Sequence, residues 1–217
     1  MQIVVLAGGL TADQVPESLV MVGGKPFVDW QLDRFVASGV KSLVMCVGAQ
    51  GEQIETHVRR ALDRGLTVGY SYAGEQLVGT GGALRRALAR LEEDFVVTYG
   101  GRYLPFDYSA PLQDLRAHPG AVATLTVGRG AGNVAVEGDW VSHYESPAGT
   151  GLVDSGAIAL RRAALADIED GAVWPLEALL RKLARQKKLR AFSAPEPGFD
   201  VESPELGGYL GGLPHLL

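Results

Sequence analysis

The chain of 217 residues is 47% hydrophobic and 21% charged, with a net charge of −5, which is apolar material enough for one large α/β domain. An acidic balance excludes a general polyanion binder, which must offer phosphates a basic surface, so no nucleic-acid partner is expected. A single cysteine, Cys46, excludes a disulfide framework, and no apolar run approaches the roughly 18 residues of a membrane span.

The chain opens directly on an apolar run, without a basic leader, so the cytoplasm is the expected compartment and no membrane partner is expected. That run, residues 2–6, reads as a strand, and so do 42–47, 67–72, 95–99 and 122–127. Between them, Val28, Leu32, Phe35 and Val36 mark one helical face, Ile54, Val58 and Leu62 a second, and Leu84, Leu88 and Leu91 a third. Pro26 fits a first helical turn, and Gly39 and Gly65 fit helix stops. Such alternation predicts βαβ units and a largely parallel sheet, with ligands at the carboxyl ends of its strands. Cys46 sits inside an apolar strand and reads as a packing residue.

Beyond about residue 128 the pattern changes. Short segments at 133–136, 140–144 and 152–160, separated by glycines, predict hairpins. A helix over 174–185 follows, with Leu176, Leu179, Leu180 and Leu183 on one face. Arg185, Lys187 and Lys188 at its end read as dipole compensation and solvation, or as a phosphate or partner site. The whole reads as a single domain, 1–217, with a small hairpin-rich lobe around 128–160.

Glycine-rich motifs fall at the predicted strand ends. Leu6-Ala7-Gly8-Gly9 closes the first strand, and Pro16, Leu19, Val22, Gly24, Lys25 and Pro26 follow. Next come Gly79-Thr80-Gly81-Gly82-Ala83-Leu84 and Tyr99-Gly100-Gly101-Arg102-Tyr103-Leu104. Glu145, then Asp154-Ser155-Gly156, and finally Phe199-Asp200 with Ser203-Pro204-Glu205, complete the series. Paired glycines let a ligand approach the backbone closely, although most such pairs only make turns. A glycine-rich helix start can likewise offer its N–H groups to an anion, or serve as a simple cap.

In order and approximate spacing these segments resemble the sugar-1-phosphate nucleotidyltransferases, nearest the heptose- and hexose-1-phosphate members. The resemblance implies a three-layer Rossmann-like fold with a mixed, mainly parallel sheet. It implies nucleotide contacts at Leu6, Ala7, Gly8, Gly9, Gly79, Thr80, Gly81 and Gly82. Sugar contacts are implied at Tyr99, Gly100, Glu145, Asp154, Ser155 and Gly156, and a metal ligand at Asp200. Implied partners are a nucleotide and a sugar phosphate, with further copies of the chain or an active paralogue as protein partners.

The departures from that pattern fall on charge. The stretch after Gly9 is shorter than the family's and lacks its Thr-Arg pair; Glu17 stands at a lysine position, Gly101 at the metal-binding aspartate and Ser146 at the lysine that meets the sugar phosphate. The family reaction brings two anionic phosphates together, and Arg, Lys and a divalent cation supply the compensating charge. Reversing one such charge at close range costs several kcal/mol. Lys25 and Arg102 are the candidate replacement cations; the alternatives are a solvated helix start and a solvent-facing guanidinium. Asp107, near the site in sequence, reads as a turn residue or a displaced ligand, and Glu202 as a partner carboxylate for Asp200. Mg²⁺ is the implied cofactor of an active enzyme, with none required by an inactive one. The expected function is that of a family member in sugar-nucleotide or surface-glycan metabolism with weak or altered activity. The alternative is an inactive homologue that binds sugar phosphate or nucleotide, or regulates an active partner subunit.

Overall fold

The computed structural model describes residues 1–60, 65–74, 78–132, 134–145 and 151–213; Leu62, residue 133 and Ser146 of the sequence reading lie outside them. From the amino terminus come β1 (Gln2–Ala7), a 3-10 turn at Glu17–Leu19, the short hairpin strands β2 (Met21–Val22) and β3 (Lys25–Pro26), and helix α1 (Phe27–Ala37). The alternation continues with β4 (Ser42–Val47), α2 (Gly51–Arg60), β5 (Thr67–Tyr72), α3 (Gly79–Arg86) and β6 (Asp94–Tyr99). After these come β7 (Arg102–Tyr103), α4 (Ser109–Ala117) and β8 (Ala123–Arg129). The last part holds β9 (Ala135–Glu137), β10 (Trp140–His143), the long β11 (Leu152–Arg161) and α5 (Leu176–Arg185). It ends with β12 (Leu189–Ser193), β13 (Phe199–Asp200) and α6 (Pro204–Gly211).

One nine-stranded sheet organises the molecule, in the order β5-β4-β1-β6-β11-β8-β12-β10-β9. β1 lies parallel to β4 and β6, β4 to β5, and β8 to β12. β11 runs antiparallel between β6 and β8, and β10 antiparallel between β12 and β9, giving the mixed, mainly parallel sheet. The stretch at 128–160 thus supplies β9, β10 and β11 to the main sheet.

Both faces of the sheet are covered, which is why β1 reads as continuously apolar rather than alternating. Its Ile3, Val5 and Ala7 join a core with Val28, Leu32 and Phe35 of α1, Ile54 and Val58 of α2, and Leu112 and Leu115 of α4. Its Val4 and Leu6 join the opposite core with Leu84 of α3 and Leu176, Leu179, Leu180 and Leu183 of α5. Each fully buried Leu, Val or Phe contributes about 1.5–3 kcal/mol. Val36, expected on the buried stripe of α1, is 40% exposed because it lies at the edge of that stripe, about 80° round the helix from Val28. Gly39 stops α1 as expected, at φ +73°, with its N–H on the Val36 carbonyl.

A satellite cluster of Val22, Phe27, Tyr103, Val201, Leu206 and Leu210 ties the small hairpin and α6 to the two-stranded β7–β13 ribbon. That ribbon places Asp200 opposite Arg102.

Towards the other end of the sheet, Arg190 of β12 is 7% exposed and lies between α4 and Trp140. Asp114 of α4 holds it by two bonds, Oδ2 to Nε at 3.0 Å and Oδ1 to Nη2 at 3.2 Å, and also accepts from the Thr124 hydroxyl at 2.9 Å. A paired buried charge is tolerated, whereas an orphaned one is costly. Asp114→Ala is therefore expected to lower stability by about 3 kcal/mol in urea denaturation. Adding Arg190→Met should recover most of that loss, because the buried guanidinium, left with only the more distant Asp139 at 3.6 Å, is then removed.

Candidate functional site

Two adjoining cavities open at the carboxyl ends of β1, β4, β5 and β6, where parallel α/β sheets bind ligands. The first, of about 590 Å³, is mostly apolar; the strand-end loops supply Gly8 and Gly9, Gly48 and Ala49, and Ala73 and Gly74, and Val78–Thr80 closes one side. The second, of about 430 Å³, is lined by Arg102, Asp154, Glu177, Asp200 and Glu202 among others. Glu17 and Tyr99 line both, so the cavities share a wall.

Glu17 reaches that wall through the short loop after β1. Leu10 and Pro16 form an antiparallel bridge, Thr11 N–H bonds the Val15 carbonyl, and Gln14 takes a left-handed φ of +62°. The Gln50 amide holds the Gln14 carbonyl at 2.7 Å. The loop closes on itself and returns Glu17, whose N–H meets the Gly9 carbonyl at 3.1 Å. Its carboxylate then lies against both Gly9 and Gly101, so that a Cβ at either glycine would overlap it. The glycine at 101 and the acid at 17 thus form one steric arrangement. Burial, then the charges of Glu202 and Asp200, push the Glu17 carboxyl above its ordinary value.

Arg102 lies across the acidic cavity. Its Nη1 meets Asp200 Oδ1 at 2.6 Å and its Nε donates to the Ser155 carbonyl at 3.2 Å. Gly156, at φ +93°, is required here, since a side chain would press on Arg102 and be strained. Asp154 is fixed by the Gly156 N–H and the Tyr144 hydroxyl, both at 2.8 Å. Burial raises its carboxyl, against these two donors and Arg102, which lower it. Burial and nearby acids also raise Tyr99 and Tyr144, so both phenols remain hydrogen-bond donors.

Not every residue anticipated from the sequence reaches a cavity. Leu6, Gly8, Gly9, Gly79 and Thr80 line the apolar one, and Gly101, Arg102, Asp154, Gly156 and Asp200 the acidic one. Ala7 packs into the core beneath, and a side chain at Gly100 would meet Ser18 Oγ at 2.6 Å and Ala7 Cα at 2.9 Å. Gly81 and Gly82 do not offer their amides to a ligand, because both donate to the Trp174 carbonyl, at 2.8 and 3.1 Å. The Thr80 hydroxyl accepts from Leu176 N–H at 2.8 Å and so satisfies an amide at the start of α5. Ser155 acts through its carbonyl. Glu145 turns outward to an ion pair with Arg181. Lys25 is not a site cation: Asp33 holds its ammonium at 2.6 Å and the Trp30 ring lies 3.8 Å beneath it. Asp107 is a turn residue, bonded to Ser109 N–H and hydroxyl. Cys46 borders the apolar cavity but is 4% exposed, its thiol pushed up to about 12 by burial, and it packs rather than reacts.

Glu177 and Tyr144 are wall residues that the motifs did not single out. Glu177 lies in the first turn of α5, where an acid is ordinary helix chemistry, so only the tertiary fold reveals its direction.

The arrangement does not suit Mg²⁺. That ion requires hard oxygen ligands in octahedral geometry, usually from one or two carboxylates with phosphates. Gly101 supplies none, Asp200 is engaged by Arg102, and no metal-holding cluster of three or more His, Cys, Asp or Glu occurs among the described residues.

Two substitutions test this geometry. Glu17 has a raised carboxyl in the fold, so the folded state loses stability as pH rises above the ordinary glutamate value of 4.5. Glu17→Gln should therefore be more stable than the parent at neutral pH, the gain vanishing once pH falls below that value, as read by thermal melts across pH. Gly101→Ala should cost about 1 kcal/mol, an overpacking effect that disappears in a Glu17→Ala background; a double-mutant cycle measures the coupling.

No protein-family model matches the chain. It is 28% identical to a glucose-1-phosphate cytidylyltransferase of Salmonella typhi over 236 aligned positions, covering 92% of this chain and 89% of that one. An N-acetylmuramate alpha-1-phosphate uridylyltransferase of Neisseria meningitidis is 28% identical, with 82% and 80% covered. The crystal structure of HddC from Yersinia pseudotuberculosis complexed with GMP-PN superposes with a TM-score of 0.79 at 22% identity, covering 96% of each chain. In sequence the chain is similar to sugar-1-phosphate nucleotidyltransferases over most of its length, and its fold is that of the HddC structure.

Proposed function

We propose that the chain is a nucleotide- and sugar-binding protein of sugar-nucleotide metabolism that has given up pyrophosphate-releasing transfer. The apolar cavity suits a nucleobase and ribose, and the acidic cavity, across the shared wall of Glu17 and Tyr99, suits a sugar. The relatives named above are sugar-1-phosphate nucleotidyltransferases, which supports the pairing of these two ligand classes.

One observation carries the loss of transfer. The Glu17 carboxylate lies against Gly9 and Gly101, at the junction of the two cavities, where the reacting phosphates would meet. In-line attack on a triphosphate needs positive charge at that point. Among the described residues lining the two cavities, Arg102 is the one cation, and Asp200 already neutralises it. A triphosphate at the junction would meet Glu17 with nothing to offset it.

The test combines an activity assay with a binding assay. Pyrophosphate release with each common nucleoside triphosphate, a panel of sugar 1-phosphates and Mg²⁺ is expected to stay at the no-protein rate. Calorimetry should meanwhile detect nucleosides or monophosphates more readily than triphosphates. Formation of any nucleotide-diphosphate sugar at an enzymatic rate would overturn the reading.

A further inference from the structure

The acidic cavity is built with the wrong sign for a phosphate. Its described lining brings the carboxyl groups of Glu17, Asp154, Glu177, Asp200 and Glu202 against the single guanidinium of Arg102. Four of these groups are held in place: Asp154 by Tyr144 and the Gly156 N–H, Arg102 by Ser155 and Asp200, Asp200 in turn by Arg102, and Glu17 by the closed loop behind it. The volume of about 430 Å³ falls within the roughly 300–1,000 Å³ of small-molecule sites. Tyr99 and Tyr144 add hydroxyl groups, which suit a ligand rich in hydroxyls.

Resting on the reading that this cleft holds a sugar, we propose that the acidic cavity takes an amino sugar, a polyhydroxylated ligand with a protonated amine, in place of a sugar phosphate. An ammonium group has three N–H donors and no acceptor, and matches carboxylates that need a counter-charge. Glu17, Glu177 and Glu202 line one cavity with Asp154, so a cation seated among them meets several carboxyl groups at once. A phosphate in the same place is repelled by them. The ligand's own charge then does what a divalent ion does for an anionic substrate, which accounts for a cavity that keeps its carboxylates without a metal-holding arrangement.

Glucosamine, N-acetylglucosamine and glucose 1-phosphate, titrated separately into the full chain at neutral pH with and without Mg²⁺, test this by methyl NMR. Val201 reports the acidic cavity and Val78 the apolar one. The Val201 methyls should respond to glucosamine at a concentration about tenfold lower than to its uncharged N-acetyl analogue, the factor of one charge-assisted hydrogen bond. The difference should shrink with added salt and in Glu202→Gln, a substitution at an exposed residue that leaves packing intact. Tighter binding of glucose 1-phosphate, equal response to glucosamine and N-acetylglucosamine, or no response at Val201 would overturn the proposal. A response of Val78 to nucleotides with Val201 silent leaves the nucleotide-binding reading standing; silence at both removes both.

Discussion

Because every side chain of β1 is buried, its backbone must be satisfied by strands on both edges and its side chains by cores on both faces. β4 and β6 provide the edges, and the helices on either side of the sheet provide the cores. The strand therefore ends in the middle of the molecule with nowhere to go but upward into a loop. The position of Gly8 and Gly9, the way the chain returns to Glu17, and the location of both cavities follow from that buried strand.

Most of this architecture is legible in the sequence. The five strands predicted from apolar runs are found as β1, β4, β5, β6 and β8, to within terminal residues, because strands covered on both faces must be continuously apolar; the two-residue β2, β3 and β7 carry no such signal. The same rule fails beyond residue 128. β9 and β10 are short and partly exposed at the sheet's edge, and β11 joins the sheet's interior through contacts far away in sequence. Glycine-separated segments signal hairpins, but only the fold shows which sheet receives them.

The site is legible in part, and the unread portion has a physical cause. Backbone-level features transfer well: the glycine turns at the ends of β1 and β6 lie where the motifs put them, because turn geometry is local. Side-chain charge does not transfer. Lys25 looks available in the sequence, yet Trp30 and Asp33 lie about one and two helical turns onward and claim it. Glu145, implied by the resemblance as a sugar contact, is instead paired with Arg181 of α5. Glu17 is the clearest case. In the sequence it reads as a charge reversal; in the fold its carboxyl group fills the space beside Gly9 and Gly101.

That last pairing also decides what fills the junction. A side chain added at Gly9 or Gly101 would meet the end of the Glu17 side chain, which must then turn aside. The obstacle is thus a flexible carboxylate rather than backbone, so the space between the two cavities is governed from position 17 while the strand ends that frame it stay where they are.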